Sequence, residues 1–180
     1  MSHLDIYTDG SCLLDSGMGG WAYVVYQSEE IIHTSAGSAV DTTNNRMELQ
    51  GVIEACKYML VADCGSATIL CDSSYVVNGL RDSIHQWKQL GWRRAAGELK
   101  NADLWQELYH LFYLQLKGAI HIKWVRGHVG VIGNELADQL AEVARLGCQQ
   151  RVWKGLVAVM EERIVLLRQL IERDDPYKVL

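Results

Sequence analysis

Three strand-like stretches follow one another before the first helical stripe, and that order restricts the fold of this chain more than any other feature. Leu4-Asp5-Ile6-Tyr7-Thr8-Asp9 alternates apolar and polar residues, and residues 20–27 and 30–37 are rich in aromatic and β-branched side chains. Gly17, Gly19 and Gly20 punctuate the first connection, and Ser28-Glu29 reads as a hairpin turn. A helix comes next: Leu49, Val52, Ile53, Cys56, Met59 and Leu60 recur at three and four, with capping candidates in Thr42-Thr43-Asn44. Residues 67–71 form a short buried strand, followed by a helical turn near Ser73–Leu80 and a mixed polar segment over 81–100. A helix over 101–116, a strand over 121–125 and a helix over 134–146 complete the pattern. The order β-β-β-α-β-α-α-β-α predicts an α/β chain, with an antiparallel meander continued by parallel strands joined through helices.

A length of 180 residues suits one domain with room for an appendage. No apolar run approaches the ~20 residues that cross a bilayer, so no membrane span is expected. Met1-Ser2-His3-Leu4-Asp5 lacks the pattern of a secretion signal, and a cytoplasmic protein is the expectation. The five cysteines form no C-x-x-C pair and read as buried free thiols rather than as a zinc site or disulfide framework. A net charge of −5 disfavours nucleic acid, whose binding depends on phosphate neutralisation, unless a local basic patch accompanies a metal-neutralised acidic site.

Both are legible. Asp9 ends the first strand in Thr8-Asp9-Gly10-Ser11, where a glycine allows close backbone approach. Glu48 lies one turn into the first helix, behind Asn44 and Asn45, whose amides can read hydroxyls and base edges. Asp72 follows the buried strand, and Asp138 follows a glycine-rich loop that carries His128. Each has an ordinary structural explanation alone: a turn, a helix dipole, an N-cap, a surface loop. Together, acids placed after strands and on a crossing helix can converge at one sheet edge, where they repel one another without a cation. Hard oxygen donors suit Mg²⁺ or Mn²⁺ rather than zinc.

The set TDGSC (8–12), TTNNRMEL (42–49), CDSSYVVNGL (71–80) and WVRGHVGVIGNELADQLA (124–141) closely resembles the type 1 ribonuclease H family of bacteria, over about residues 4–146. The resemblance implies a ribonuclease H-like five-stranded mixed sheet flanked by helices. It implies endonucleolytic hydrolysis of the RNA strand of RNA–DNA hybrids, leaving 5′-phosphate and 3′-hydroxyl ends. Asp9, Glu48, Asp72 and Asp138 match the family's metal carboxylates, which hold two ions ~4 Å apart. His128 matches an auxiliary mobile histidine. Asn44 and Asn45 match residues that contact the hybrid from the minor groove, and Gly10 and Ser11 fall where the backbone meets a ribose. Residues 86–101 resemble a basic protrusion, with Lys88, Arg93, Arg94 and Lys100 against Glu98, or +3 net; Trp87 and Trp92 within it would stack or fix the loop.

Departures from the pattern concern binding and not the carboxylates. Gln89-Leu90 replaces a more basic run, and Ser74 stands where many relatives have glutamine. Asp15 and Asp41 stand where asparagine and arginine are usual near a phosphate pocket, which leaves Thr43 there.

After a catalytic domain over 1–147, the extension 148–180 carries Trp153, Val157, Met160, Ile164, Leu167 and Ile171 at 4-3-4-3-4 spacing, an amphipathic helical stripe. Packing on the core, a homodimer and docking on another protein all remain open for it. Two alternatives stand beside hybrid cleavage: another nuclease or recombinase of the same fold, and a hybrid-binding module without catalysis.

Overall fold

A computed structural model of the protein describes residues 2–13, 17–62 and 64–150. Asp15 and the stripe beyond Trp153 lie outside the described residues. The first three strands are β1 (His3–Leu13), β2 (Met18–Gln27) and β3 (Glu30–Ala39), followed by helix α1 (Asn44–Val61) and strand β4 (Ser66–Cys71). Helices α2 (Ser74–Asn78) and α3 (Ile84–Gln89) are joined by a π-helical turn, Gly79–Ser83. A two-rung hairpin, β5 (Arg93–Arg94) with β6 (Gly97–Glu98), leads into α4 (Ala102–Tyr109) and its π-helical continuation His110–Gln115. Strand β7 (Ile120–Trp124) and helix α5 (Ile132–Gln150) follow, and α5 runs unbroken through the boundary expected at 147. Among the described residues, no helix is long and apolar enough to cross a membrane.

Five strands form one sheet in the order β3-β2-β1-β4-β7, with β1 antiparallel to β2 and parallel to β4. Period-two alternation divides the β2 side chains between two cores. Tyr23 and Val25 join Leu4, Ile6, Val52, Ile53 and Ile69 beneath α1, and Ala22 and Val24 meet Leu136, Ala137, Leu140 and Ala141 of α5. Each fully buried aliphatic residue contributes about 1.5–3 kcal/mol of transfer free energy, so both helices are fixed to the sheet by packing rather than by propensity. Gly20 sits directly under α5; a Cβ there would fall on the Ala141 carbonyl.

The segment read as a polar connection over 81–100 is helical as far as Gln89. Buried Ile84 and partly buried Trp87, three residues apart, supply its core contacts, and the Trp87 and Trp105 rings lie 5.1 Å apart. Gly79 makes room for the Trp105 ring, whose Nε1 donates to the Tyr75 hydroxyl at 3.0 Å.

The β2–β3 turn is a two-residue loop in the expected place, with Gln27 paired to Glu30. Ser28 and Glu29 both adopt positive φ, 48° and 70°. This is the handedness that matches strand twist, but it favours Asn-Gly over Ser-Glu. Replacing Ser28-Glu29 by Asn-Gly relieves left-handed backbone that costs L-residues about 1–2 kcal/mol each, and is expected to stabilise the protein on the order of 1 kcal/mol, read as a higher urea midpoint at unchanged slope.

Candidate active site

Register brings the first two acids together. The parallel ladder of β1 on β4 ends at the pair Thr8↔Cys71, so Asp9 and Asp72 are the next residues after that rung on the two neighbouring strands' paths. Asp9 does not end its strand, as the sequence reading had it. β1 continues to Leu13 by pairing with β2 alone, with Ser11 and Cys12 opposite Gly20 and Gly19. Past Cys71 the β4 chain turns into α2, and its Asp72 carbonyl accepts from Trp124 Nε1 at 2.8 Å.

Glu48 arrives from the face that α1 covers. A Cβ on Gly10 would fall on the backbone of Met47 and Glu48, so the close approach this glycine permits is that of the helix itself. Thr43 caps α1 by accepting from the Arg46 amide at 3.4 Å, and the Arg46 guanidinium binds Asp103 at 2.7 Å, tying the helix start to α4. Asp138 comes from α5 on the opposite face. His128, at φ 54° in the loop before α5, places Nδ1 3.9 Å from Asp138 Oδ2 and is largely exposed. Asp9, Glu48, Asp72, Asp138, His128, Gly10, Ser11, Cys12 and Asn44 line one open cleft of about 360 Å³.

Electrostatics in this cleft are those of crowded, desolvated acids. Asp9 and Glu48 are each only 6% exposed. Burial, then the charges of Asp72 and Asp138, push the Asp9 carboxyl from its ordinary value near 3.8 up to about 8, against the opposing hydrogen bond from the Gly10 amide at 2.6 Å. Burial and the same neighbours raise Glu48 well above the usual carboxylate range; Asn44 Nδ2, donating to its Oε1 at 3.4 Å, offsets this only in part. Burial also raises Asp138, with His128 opposing.

The donor set fits a hard divalent cation. Among the described residues Glu48 Oε2 is buried without a hydrogen-bond partner, a carboxylate oxygen of the kind a cation satisfies. Glu48, Cys71 and Asp72 each offer an atom within 4.8 Å of the others. Cys71 is not a credible member, since complete burial drives its thiol far above the range in which a thiolate forms.

The expected substrate residues divide between two clefts. Asn45, Ser74, Trp87, Arg94, Lys100 and Asn101 help to line a second one of about 400 Å³, between α2–α3 and the β5–β6 hairpin. Arg93 is exposed on that hairpin. Lys88 donates from Nζ to the Tyr109 hydroxyl at 2.9 Å, and Trp92 packs edge-on against the same ring at 5.7 Å, which fixes the protrusion to α4. Asp41 is exposed at φ 51° in the turn after β3.

The sequence reading passed over two residues. Asn134, almost wholly buried, donates from Nδ2 to Asp72 Oδ2 at 3.0 Å and orients that carboxylate. Arg145 donates from Nε to Ser11 Oγ at 3.1 Å. A charged residue four positions after Ala141, on the apolar stripe of α5, was the available signal.

Comparison with known proteins places the chain in a family. The RNase H family model matches residues 1–145. The Ribonuclease H of Verminephrobacter eiseniae is 44% identical over 163 residues, which is 89% of this chain and 100% of that protein. That of Thermosynechococcus vestitus is 44% identical over 146 residues, 78% of this chain and 88% of that one. Among solved structures, LC9-RNase H1, a type 1 RNase H with the type 2 active-site motif, superposes with a TM-score of 0.71 at 33% identity, covering 82% of this chain and 74% of its own. A foamy viral protease-reverse transcriptase in complex with RNA/DNA hybrid gives 0.70 at 25% identity, covering 80% of this chain and 20% of its own. With a family model covering most of the chain and a relative matched along its whole length, the protein belongs to the RNase H family.

Proposed function

We propose that the carboxylate cleft is where this chain, as an RNase H, hydrolyses the RNA strand of RNA–DNA hybrids. The carrying observation is the placement of Asp9 and Asp72 just past the last parallel rung, with Glu48 and Asp138 brought in from opposite faces of the sheet. Asp9, Glu48, Asp72 and Asp138 would hold two divalent ions, Mg²⁺ by preference. Bound there, such ions supply Lewis-acid activation of water and charge stabilisation at the leaving 3′ oxygen.

The chain's own residues do the positioning. Asn134 fixes one Asp72 oxygen, and the Gly10 amide fixes one Asp9 oxygen. His128 is exposed and beside Asp138, so it can reach a proton at the mouth of the cleft and still move with its loop. Substrate extends from the first cleft to the second, from Asn44 to Asn45 on consecutive residues of α1. The exposed Arg93 and the cleft-lining Arg94 and Lys100 face a nucleic-acid strand held there, and their charge offsets an otherwise acidic chain.

A 5′-labelled RNA annealed to DNA, annealed to RNA, or left single-stranded tests the reading. Cleavage only of the hybrid, and only with Mg²⁺ or Mn²⁺, is expected. His128→Ala should slow it by no more than ~10²–10⁴-fold without abolishing it. Binding of hybrid without cleavage in either metal would favour a pure binding module, and cutting of duplex DNA would favour another nuclease of this fold.

The crowded acids make a second prediction. Between pH 3.8 and about 8, folded Asp9 keeps a proton that the unfolded chain releases. The folded metal-free protein therefore binds more protons than the unfolded one, and it loses stability as pH rises through that window. Asp9→Asn should abolish cleavage, yet raise the metal-free thermal midpoint at pH 8, with the gain vanishing towards pH 4. A lower midpoint for the variant at pH 8 would contradict the clustering.

A further inference from the structure

Arg145 lies behind the wall of the cleft, in a setting that structural packing does not explain. Its side chain is 10% exposed, while its one carboxylate partner among the described residues, Glu142 at 3.2 Å, is 54% exposed. Glu142 is therefore a weak counter-ion for so deeply placed a charge. The guanidinium has five N–H donors in a fixed fork. Nε is used on Ser11 Oγ and Nη2 on Glu142. The position is set by the close approach of α5 to β2: Gly20, which pairs with Ser11, has the Arg145 backbone directly against it.

The bond to Ser11 has a consequence for the cleft. With Ser11 Oγ accepting from Arg145 Nε, the serine O–H is left to donate, and Ser11 lines the cleft beside Gly10 and Cys12. Among the described residues no lysine or arginine lines that cleft, whereas four carboxylates do. Arg145 is a cation close behind its wall: burial raises the Cys12 thiol, and the Arg145 charge is near enough to oppose that rise. A hydroxyl donor polarised by a partly buried guanidinium is the equipment for an acidic oxygen ligand, and in a nuclease that ligand is a backbone phosphate.

We propose that Arg145 is a positioning residue for the hybrid: it orients and polarises the Ser11 hydroxyl and adds positive potential, seating a substrate phosphate at the β1 end of the cleft. The proposal rests on the hybrid-cleavage reading, and the experiment separates the two.

Steady-state cleavage of the hybrid and its equilibrium binding in EDTA across a KCl series would be measured for the wild type, Arg145→Gln, Arg145→Lys and Ser11→Ala. Arg145→Gln is expected to raise KM on the order of tenfold with kcat within about twofold, the signature of lost uniform binding. It should also reduce the slope of log K against log salt by about 1. Arg145→Lys should restore the slope. Ser11→Ala should raise KM, and its effect combined with Arg145→Gln should be less than additive, as for groups acting through one contact. Unchanged KM and salt slope in Arg145→Gln would overturn the proposal and leave Arg145 a structural strut. If that variant does not fold, unchanged KM and slope in Ser11→Ala would overturn it equally. A wild type that binds hybrid without cutting it would sink the cleavage reading alone, and the salt slopes would still decide the role of Arg145.

Discussion

The parallel pairing of β1 with β4 sets where every other part of the site can be. Its last rung, Thr8↔Cys71, leaves two acids as the next residues on the two neighbouring strands' paths, with no further ladder between them. Like charges so close in a buried setting repel, and the surrounding fold must hold them there at a cost. The two cores on either face of the sheet provide that force, since α1 and α5 are anchored by apolar packing that has no part in the chemistry. Stability and function are thus set in opposition at one point, the usual circumstance of a site whose charge a cation completes.

Two close approaches decide which further groups reach that point. Gly10 lets the first turn of α1 rest on β1, which delivers Glu48 nearly out of solvent with one carboxylate oxygen unpartnered among the described residues. Gly20 lets α5 rest on β2, which places Asp138 at the cleft and Arg145 behind Ser11 on the same helix. The two contacts act alike: a missing Cβ lets a helix backbone lie flush on a strand. A side chain added at Gly10 would meet the backbone of Met47 and Glu48, and one at Gly20 the backbone of Ala141 and Arg145.

Much of the fold was legible in the chain because its signals were local. The alternation in Leu4–Asp9, the apolar run of 67–71 and the three-four spacing of Leu49 through Leu60 each correspond to an observed element. The helix ending at Gln89 was not legible, since Ile84 and Trp87 stand among polar neighbours and find their partners in α4, far along the chain. Nor was the length of β1. Gly10-Ser11 looks like a turn until β2 supplies Trp21 and Gly20 as cross-strand partners. The four acids could be picked out by their motifs, but their convergence depends on register, which no single motif carries. Asn134 and Arg145 escaped notice because each acts through another residue, Asp72 in one case and Ser11 in the other.

At neutral pH the metal-free cluster retains a proton, held on Asp9 by burial and by the charges of Asp72 and Asp138. A cation that binds these carboxylates must expel it, because metal ligation needs the deprotonated form. Calorimetric titration of Mg²⁺ into the protein at pH 7, repeated in buffers of different ionisation enthalpy, measures this directly. Release of about one proton per site is the predicted result. Mg²⁺ binding with no proton released would show that the four acids are not held together as described.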